Sequence, residues 1–392
     1  MIPIGGSRRM AAVQSPVIQI IGELVRDTPG AISLGQGMVY YGPPQESIVA
    51  AAAAMGDPAT HRYGSALGHP LLLEQCLRKL AADNNIRVGG DTEVIVTAGG
   101  NLAFHHTVLA IADPGDEIIL LRPYYFNHEM AVRMANCVDV LVDVDADYQP
   151  DLERIAASIT TRTRAVVTVS PNNPSGAVYS EERLRAINKL CAERGIYHIH
   201  DEAYEYFGFD GQTTYSPASD PNAAGHTISL FSLSKSYGFA GWRIGYMVVP
   251  SPLLPALGKI QDTTIICPPI VSQMAAVAAM QAGKQFVNSQ VQPIAEAREA
   301  FVNELSPLLG LENIGPGGGA FYLLLSMPGD QKPLDIATRL IKEFGIGIIP
   351  GDAFGIKDRC TLRVSYGSIT GAALDEGLSR LKQGLKAVLS NS

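Results

Sequence analysis

The strongest constraint on the fold is a repeating pattern between residues 93 and 231, in which short apolar runs alternate with helical patterns. The runs, rich in β-branched residues, are at 93–97, 117–121, 138–142, 165–169, 196–199 and 227–231. Continuous apolar runs are typical of strands buried on both faces, and helices between them connect parallel neighbours. Before the fifth run, Ser180 predicts a helix N-cap and Gly195 a helix end. The sequence therefore predicts an α/β fold with three layers and a mostly parallel central sheet.

The two ends of the chain follow a different pattern. Helical patterns occur at 17–27, 286–309 and about 369–389, with short apolar strands between the last two. We therefore expect a smaller α+β domain made from both termini. The expected division is 1–45 for its N-terminal segment, 46–285 for the large α/β domain and 286–392 for its C-terminal part.

Chemically useful residues follow five of the predicted strands. Because ligands bind outside the carboxyl ends of parallel strands, these residues are expected along one edge of the sheet. In chain order they are Gly99, Gly100, Asn101, Tyr125, Asn173, Asp201, Ser232 and Lys235. Each has an ordinary alternative, such as a tight turn, a packing residue, an N-cap or a solvated charge. Their coincidence at successive strand ends favours a binding site.

Lys235 indicates the chemistry of that site. It lies in the stretch FSLSKSYGFAGWRIGY, where Arg243 is the nearest basic residue. A lysine amine becomes nucleophilic toward a carbonyl when burial or a nearby cation lowers its pKa. Its main use is a Schiff base with pyridoxal 5′-phosphate, whose pyridine nitrogen needs an acidic partner. Asp201 is the candidate for that partner.

The other strand-end residues suit the rest of the same cofactor. Asn173 is a candidate hydrogen-bond donor to the phenolate oxygen, and Tyr125 is a candidate to stack on the ring. The free N–H groups of a helix N-terminus favour a phosphate. The candidate phosphate ligands are Gly100, Asn101, Ser232 and Arg243.

Five motifs together resemble one known family. SLSKSYGFAGWRIGY, SPNNPSG, DEAY, TAGGN and LRVSYG are similar to motifs of the fold-type I, class I/II pyridoxal-phosphate aminotransferases, and the resemblance extends over about 33–367. It implies that Lys235, Asp201 and Tyr204 are catalytic, that Tyr204 and Asn173 contact the phenolate oxygen, and that Gly99 belongs to the phosphate turn. At the substrate it implies Gly37, Asn173 and Arg363. Arginine suits a carboxylate because it binds with two parallel hydrogen bonds.

The resemblance also implies a reaction and an assembly. An amino group would pass from an L-amino acid to a 2-oxo acid through a Schiff base on Lys235, with ping-pong kinetics. Tyr63 would reach the cofactor phosphate of a neighbouring subunit, so a homodimer with active sites at the interface is expected.

The identity of the donor depends on weaker signals. Some aspartate-type relatives carry a lysine after the GG turn, where this chain has Asn101. The stretch LGQGMVYYGPP supplies residues 38–41 as candidate pocket walls, while Ile265 and Ile266 fit either a pocket wall or, more simply, the core. LGQGMVYYGPP and RPYYFN look like a plant-type branch acting on aromatic amino acids and methionine. We expect an aromatic or methionine donor, with pyruvate or another small 2-oxo acid as acceptor.

Other functions remain open at this stage. A β-lyase or other elimination enzyme uses the same lysine and acid, and an aspartate-type aminotransferase uses the same cofactor. A non-catalytic ligand-binding protein is disfavoured because the chain has no basic module for DNA. A dinucleotide-dependent dehydrogenase lacks its GxGxxG after the first strand.

Composition excludes several partners and compartments. The net charge is −8 and no cluster of lysine and arginine suggests nucleic acid or a membrane surface. No apolar run approaches membrane-spanning length, and residues 1–15 show no secretory signal. The five cysteines are far apart and form no CxxC pair, which argues against disulfides and a metal site. We expect a cytoplasmic protein without a metal.

Overall fold

The computed structural model of the chain describes residues 6–15, 17–329 and 331–390. The α-helices are α1 (Arg8–Ala11), α2 (Val17–Arg26), α3 (Gln45–Met55), α4 (Pro70–Asp83), α5 (Gly100–Ile111), α6 (Phe126–Met134), α7 (Leu152–Ser158), α8 (Glu181–Arg194), α9 (Leu233–Ser236), α10 (Leu254–Ile265), α11 (Ile270–Leu309), α12 (Pro333–Phe344) and α13 (Ala372–Leu389). The strands are β1 (Ile32–Ser33), β2 (Thr92–Thr97), β3 (Glu117–Arg122), β4 (Val138–Asp143), β5 (Thr163–Val169), β6 (Tyr197–Asp201), β7 (Thr227–Ser232), β8 (Gly245–Pro250), β9 (Tyr322–Ser326), β10 (Ile346–Gly347), β11 (Ile349–Pro350) and β12 (Thr361–Ser365).

The central sheet has seven strands in the order β2-β8-β7-β6-β5-β3-β4. β8 runs antiparallel to both β2 and β7, and the remaining neighbours are parallel. The prediction of a mostly parallel sheet is therefore confirmed, and each of the six apolar runs forms a strand within about two residues of its expected bounds. Strand β8 was not predicted, because its unbroken apolar run follows the lysine segment without a clear turn signal.

Helices cover both faces of this sheet. Ile118 and Leu120 of β3 pack with Phe104 of α5 on one face, while the alternate residues Ile119 and Leu121 pack with helix α8 on the other. This alternation follows from the two-residue period of a strand. Ser180 caps α8 by accepting a hydrogen bond from Arg183 N at 3.2 Å, and Gly195 ends it with left-handed φ and ψ. The three-layer α/β prediction is confirmed.

Residues from both ends of the chain share a second core. Ile21 of α2 and Leu34 lie with Phe301 of α11, Leu340 of α12 and Leu381 of α13. Beside them β11, β12 and β9 form an antiparallel sheet, and β1 pairs in parallel with β10. The smaller α+β unit is thus assembled from the first and last parts of the chain, as the sequence predicts.

Helix α11 links the two units and is longer than expected. Its helical dihedrals are interrupted at Gly283, with φ 63° and ψ −163°, a conformation that only glycine adopts readily. Residues before this break, such as Ala275, pack in the core beside the central sheet, whereas Phe301 packs in the terminal core. We propose the divisions 1–45, 46–285 and 286–392, the last of which begins just after the break.

No helix within the described residues is long and apolar enough to cross a bilayer.

Candidate functional site

The carboxyl ends of β2, β3, β5, β6 and β7 meet at one cleft. β8 runs the opposite way, so Arg243, which precedes it, reaches the same edge. The residues singled out in the sequence that line this cleft are Gly37, Gly100, Asn101, Tyr125, Asn173, Asp201, Tyr204, Ser232, Lys235, Arg243 and Arg363. Gly99 lies directly behind the Arg243 guanidinium, and Tyr63 lies elsewhere on the surface.

Lys235 is in the short helix α9, which begins immediately after β7. Ser232 caps this helix by accepting a hydrogen bond from Ser234 N at 3.2 Å. The ammonium group of Lys235 donates to the carbonyl of Gly37, and Tyr41 donates to the carbonyl of Lys235 at 2.7 Å. Burial, and then repulsion by Arg363 and Arg243, lowers the pKa of Lys235 to about 8. This lysine is therefore far closer to a neutral amine at physiological pH than a surface lysine is.

Asp201 ends β6 and is 8% exposed. Its Oδ2 lies 3.1 Å from Nε2 of His128, and its Oδ1 accepts from Ala203 N at 3.0 Å. His128 stacks on Phe104 at 3.9 Å between ring centroids and meets the Tyr125 ring edge-on at 5.1 Å. The carboxylate is thus fixed from behind, with its cleft side available to a ligand.

His128 was missed from the sequence, although a signal was present. It follows Tyr125 by three residues in α6, which places both side chains on one helix face. A histidine one turn from a predicted cleft residue was therefore a reasonable candidate for the same site.

Arg363, in β12, is 1% exposed. Its Nη1 donates to Asn173 Oδ1 at 2.8 Å and its Nη2 to the carbonyl of Gly35, while Nε has no partner. The guanidinium lies 4.5 Å from the Tyr322 ring centroid and 4.9 Å from that of Phe354. No carboxylate among the described residues forms an ion pair with Arg363, so the site favours an anionic ligand.

Two phenols lie between Arg363 and the lysine. Asn173 Nδ2 donates to the Tyr204 hydroxyl at 3.4 Å, and the hydroxyls of Tyr204 and Tyr322 are 2.7 Å apart. Burial raises the pKa of both phenols, so both are protonated at neutral pH. Tyr322 was also missed; its signal was a polar hydroxyl inside the apolar run 320–325, where a buried phenol needs a partner.

The opposite end of the cleft suits a phosphate. Helix α5 starts at Gly100 with no acidic residue in its first turn, and Gly99 precedes it at φ 87°. Arg243 Nη1 lies 3.4 Å from Ser234 Oγ, and its Nη2 is only 2.2 Å from where a Cβ on Gly99 would be. A helix N-terminus beside an arginine and serine hydroxyls favours a multiply charged anion.

The residues considered as pocket walls do not line the cleft of a single chain. Met38 is 44% exposed, the Tyr40 hydroxyl bonds to Gln290, and Tyr41 bonds to the carbonyl of Lys235, so a role for residues 38–41 in the donor pocket stays a prediction. Ile265 is partly buried and Ile266 is 37% exposed, so neither lines the cleft of its own chain and Ile266 is not in the core. Residues 38–41 lie in an irregular segment and Ile266 lies just beyond the end of α10, so the sequence did not fix which way these side chains point.

Tyr63 is 80% exposed and follows a 3₁₀ turn at Pro58–His61. It borders a surface groove of about 530 Å³ with Ile270 and Met274, and Gly64 N bonds to Cys267 Sγ at 3.3 Å. Its expected contact is with a second subunit. All five cysteines are free, and no metal-binding cluster of histidine, cysteine or acid side chains occurs among the described residues.

Comparisons with known proteins agree with this geometry. The family model for aminotransferase class I and II matches residues 29–381. The aromatic aminotransferase ISS1 of Arabidopsis thaliana is 33% identical, covering 98% of this chain and 97% of the relative. A probable aspartate/prephenate aminotransferase of Aquifex aeolicus is 32% identical over 91% of each chain. A single mutant of Thermus thermophilus aspartate aminotransferase superposes with a TM-score of 0.89 at 31% identity, covering 97% of this chain and 100% of that one.

Proposed function

The chain belongs to the class I and II aminotransferases, and we propose that it transfers the amino group of an aromatic L-amino acid or methionine to a small 2-oxo acid. It is an aminotransferase that uses pyridoxal 5′-phosphate, as its family does. The donor, the acceptor and the role of each residue are the parts proposed here.

The cleft fits that cofactor. Its features include a helix N-terminus behind an arginine, a buried carboxylate held by His128, and a lysine with a lowered pKa. The residues that would hold the group are Gly99, Gly100, Asn101, Ser232 and Arg243 at the phosphate, Asp201 at the pyridine nitrogen, Asn173 and Tyr204 at the phenolate oxygen, Tyr125 on the ring face and Lys235 at the aldehyde. When bound, the cofactor supplies an electron sink for the substrate carbon that loses its proton.

Lys235 has two tasks in this proposal. With the cofactor bound, its amine would hold the aldehyde carbon, and its Nζ would take the proton from the substrate α-carbon. Both tasks need a neutral amine, which the lowered pKa supplies. Transfer to a second 2-oxo acid repeats the events in reverse, so ping-pong kinetics are expected.

Arg363 orients the substrate. Its guanidinium is fixed by Asn173, by the Gly35 carbonyl and by two aromatic rings, yet has no carboxylate partner. A substrate α-carboxylate completes this pairing and brings the α-carbon toward Lys235. Fixing the reacting atoms in this way is a major source of rate enhancement.

One observation carries the choice of donor: only three cations are among the described residues that line the cleft, and this proposal gives each of them another task. Lys235 and Arg243 serve the cofactor and Arg363 the α-carboxylate, which leaves none among the described lining residues for a distal carboxylate. Phe126 lines the cleft and packs on Phe354, 6.0 Å away, which in turn lies against Arg363. An aromatic or thioether side chain suits this wall. The likeness to an aromatic aminotransferase supports the same choice.

A donor panel tests the proposal. Phenylalanine, tyrosine, tryptophan, methionine and aspartate are compared with pyruvate and 2-oxoglutarate as acceptors. We expect an aromatic acid or methionine to give the highest kcat/KM. Aspartate turnover far above all four would overturn the assignment and favour an aspartate-type enzyme.

Asn101 offers a matched test of the same point. Asn101→Lys adds a cation where some aspartate-type relatives have one, and it should raise kcat/KM for aspartate relative to phenylalanine. Asn101→Gln keeps the position neutral and should leave the ratio near that of the wild type. If both variants gave the same ratio of kcat/KM for aspartate to kcat/KM for phenylalanine, Asn101 would have no part in selecting the donor.

The fate of the substrate amino group distinguishes transamination from elimination. An amino acid is added to the purified enzyme without acceptor. Transamination leaves one equivalent of amino group on the protein-bound cofactor and releases a 2-oxo acid, whereas elimination releases ammonia repeatedly. Sustained ammonia release would replace the proposal by a lyase.

We also propose that the enzyme is a cytoplasmic homodimer in which Tyr63 acts in the neighbouring site. The exposure of Tyr63 supports the assembly, and the free cysteines suit a reducing compartment.

A further inference from the structure

We propose that Tyr322 is a positioning residue with two separable functions: its hydroxyl aims the Tyr204 proton into the cleft, and its ring holds Arg363. The inference rests on the proposed function, because it assigns Tyr204 to the cofactor and Arg363 to the substrate carboxylate. Tyr322 would then connect the residue that contacts the cofactor with the residue that binds the substrate carboxylate.

The hydroxyl function follows from hydrogen-bond accounting. A phenol oxygen donates one hydrogen bond and accepts two. Tyr204 accepts from Asn173 Nδ2 at 3.4 Å, and its hydroxyl lies 2.7 Å from that of Tyr322. If Tyr322 donates in this pair, both acceptor positions of Tyr204 are used and its own proton is left for the cleft. Hydrogen bonds in such a chain strengthen one another, so this donation makes Tyr204 a better donor.

The ring function follows from the surroundings of Arg363. The Tyr322 ring centroid lies 4.5 Å from the guanidinium carbon, within the range of a cation–π contact. Phe354 makes a similar contact at 4.9 Å, but it is not among the rings that contact Tyr204, which are Phe207, Phe321 and Tyr322. The chain therefore offers a natural control for the ring alone.

The backbone at Gly37 is shaped around this residue. A Cβ on Gly37 would lie 2.1 Å from the Tyr322 hydroxyl oxygen. The carbonyl of Gly37 is also the acceptor for Lys235. Tyr322 thus lies in contact with the segment that receives the reactive lysine, as well as with Tyr204 and Arg363.

The experiment uses purified holoenzyme variants and two independent readouts. The first is the pH at which the absorption band of the bound cofactor changes, which reports on hydrogen bonding to its phenolate oxygen. The second is whether each variant changes KM, kcat or both for the best donor of the panel. The variants are Tyr322→Phe, Tyr322→Leu, Phe354→Leu and Tyr204→Phe, each checked for folding by its thermal melting curve.

The two functions predict different patterns. Tyr322→Phe keeps the ring, so KM should stay close to wild type while the absorption midpoint rises by up to about 0.3 pH unit, because Tyr322 acts on the cofactor only by strengthening the hydrogen bond from Tyr204. Tyr204→Phe should shift the midpoint in the same direction and further. Phe354→Leu should raise KM by about threefold to tenfold and leave the midpoint unchanged. Tyr322→Leu should show both effects.

The outcomes separate this inference from the proposal beneath it. A wild-type midpoint in Tyr322→Phe, together with a shifted midpoint in Tyr204→Phe, overturns the hydroxyl function and leaves the proposed function intact. If the midpoint changes in neither variant, Tyr204 does not contact the cofactor, and the inference about Tyr322 fails as well. If the wild-type protein binds no pyridoxal phosphate, both fail. Should Tyr322→Leu not fold, the contrast between Tyr322→Phe and Phe354→Leu still decides.

Discussion

At the scale of single residues, the cleft holds three cations without acidic partners. Lys235, Arg243 and Arg363 all line it, and none of them forms an ion pair within the described part of the chain. The lining acid Asp201 is paired with His128 instead. Such an excess of positive charge attracts anions and strengthens their binding where water is excluded. A phosphate and a carboxylate together satisfy it.

The lowered pKa of Lys235 predicts how the cofactor-free protein takes up pyridoxal phosphate. Only the neutral amine attacks an aldehyde, and it predominates above a pKa of about 8. The rate constant for covalent uptake should therefore rise about tenfold per pH unit below 8 and level off above it, whereas an ordinary lysine would still gain reactivity at pH 10. Stopped-flow absorbance from pH 6 to 10 measures this profile.

Arg363 provides the control, because the repulsion from its positive charge helps to lower the pKa of Lys235. Arg363→Met removes the charge and should move the midpoint to higher pH, whereas Arg363→Lys keeps the charge and should leave it near 8. A midpoint near 10 in the wild-type protein would contradict the assignment of Lys235 as a buried, activated amine.

Gly99 gives a second prediction, with Gly115 as its matched control. Both glycines have positive φ, 87° and 91°, so alanine at either site costs about 1 kcal/mol of folding free energy. Only at Gly99 does the new Cβ also displace the Arg243 guanidinium, since Gly115 faces open space. Gly99→Ala should weaken cofactor binding about tenfold to a hundredfold, the value of a lost charge-assisted hydrogen bond, while Gly115→Ala should not. Absorbance titration of the cofactor-free variants measures both affinities, and equal affinities would remove Arg243 from the phosphate site.

At the scale of elements, the ends of strands were predictable and the side chains beyond turns were not. Asp201 ends the buried strand β6 and Lys235 lies in the short helix that follows the buried strand β7, so the apolar runs fix where both emerge. Tyr322 reaches the cleft from β9, and His128 supports Asp201 from α6, and the placement of both elements depends on long-range packing. Ile266, beyond the end of α10, has an unusual φ of 65° that no local pattern indicated.

A buried polar bridge holds β5 to β6 behind the site. The hydroxyl of Thr168 in β5 lies 2.8 Å from His198 Nε2 and 2.7 Å from His200 Nδ1 in β6. His226 Nε2 donates to the Asn188 carbonyl at 3.1 Å, and so also to Asn188 Oδ1. Asn188 Nδ2 then donates to His198, His198 to Thr168, and Thr168 to His200. His198 and His200 each accept a hydrogen bond at Nδ1, so both imidazoles must be neutral for this chain of hydrogen bonds to form.

The bridge makes stability depend on pH. Burial lowers the pKa of His200 to about 4 in the folded chain, against about 6.5 when unfolded. Folding favours the neutral imidazole of His200. Its contribution to the free energy of unfolding is therefore complete above pH 6.5 and is lost as the pH falls toward 4. The free energy of unfolding should decrease by about 1.4 kcal/mol per pH unit in this window from His200 alone.

Urea unfolding at pH 7, 6 and 5 measures this slope, and His200→Asn isolates the contribution of His200. The variant should be less stable at pH 7 but show a shallower loss toward pH 5. Parallel slopes for variant and wild type would show that His200 is not held neutral in the folded state.

At the scale of the whole molecule, the chain carries an apolar surface outside its own cores. Val49 and Met55 of α3 are 60% and 57% exposed, and Leu71 of α4 is 46% exposed, near Tyr63 in sequence. Clustered apolar surface of this kind often marks an interaction site. The proposed two-fold symmetric homodimer would place this surface against its copy and would bring Tyr63 of each subunit to the other.

Mixed dimers test whether Tyr63 acts in the partner's site. Lys235→Ala abolishes the amine and Tyr63→Ala removes the reaching phenol, so each homodimer should be strongly impaired. If the two residues serve one site from different subunits, a mixed dimer carries one site with both defects and one intact site. Equal mixing makes about half of the dimers mixed, so about a quarter of wild-type activity should return. If Tyr63 serves its own subunit, every site keeps one defect and mixing restores nothing, which activity assays before and after subunit exchange would reveal.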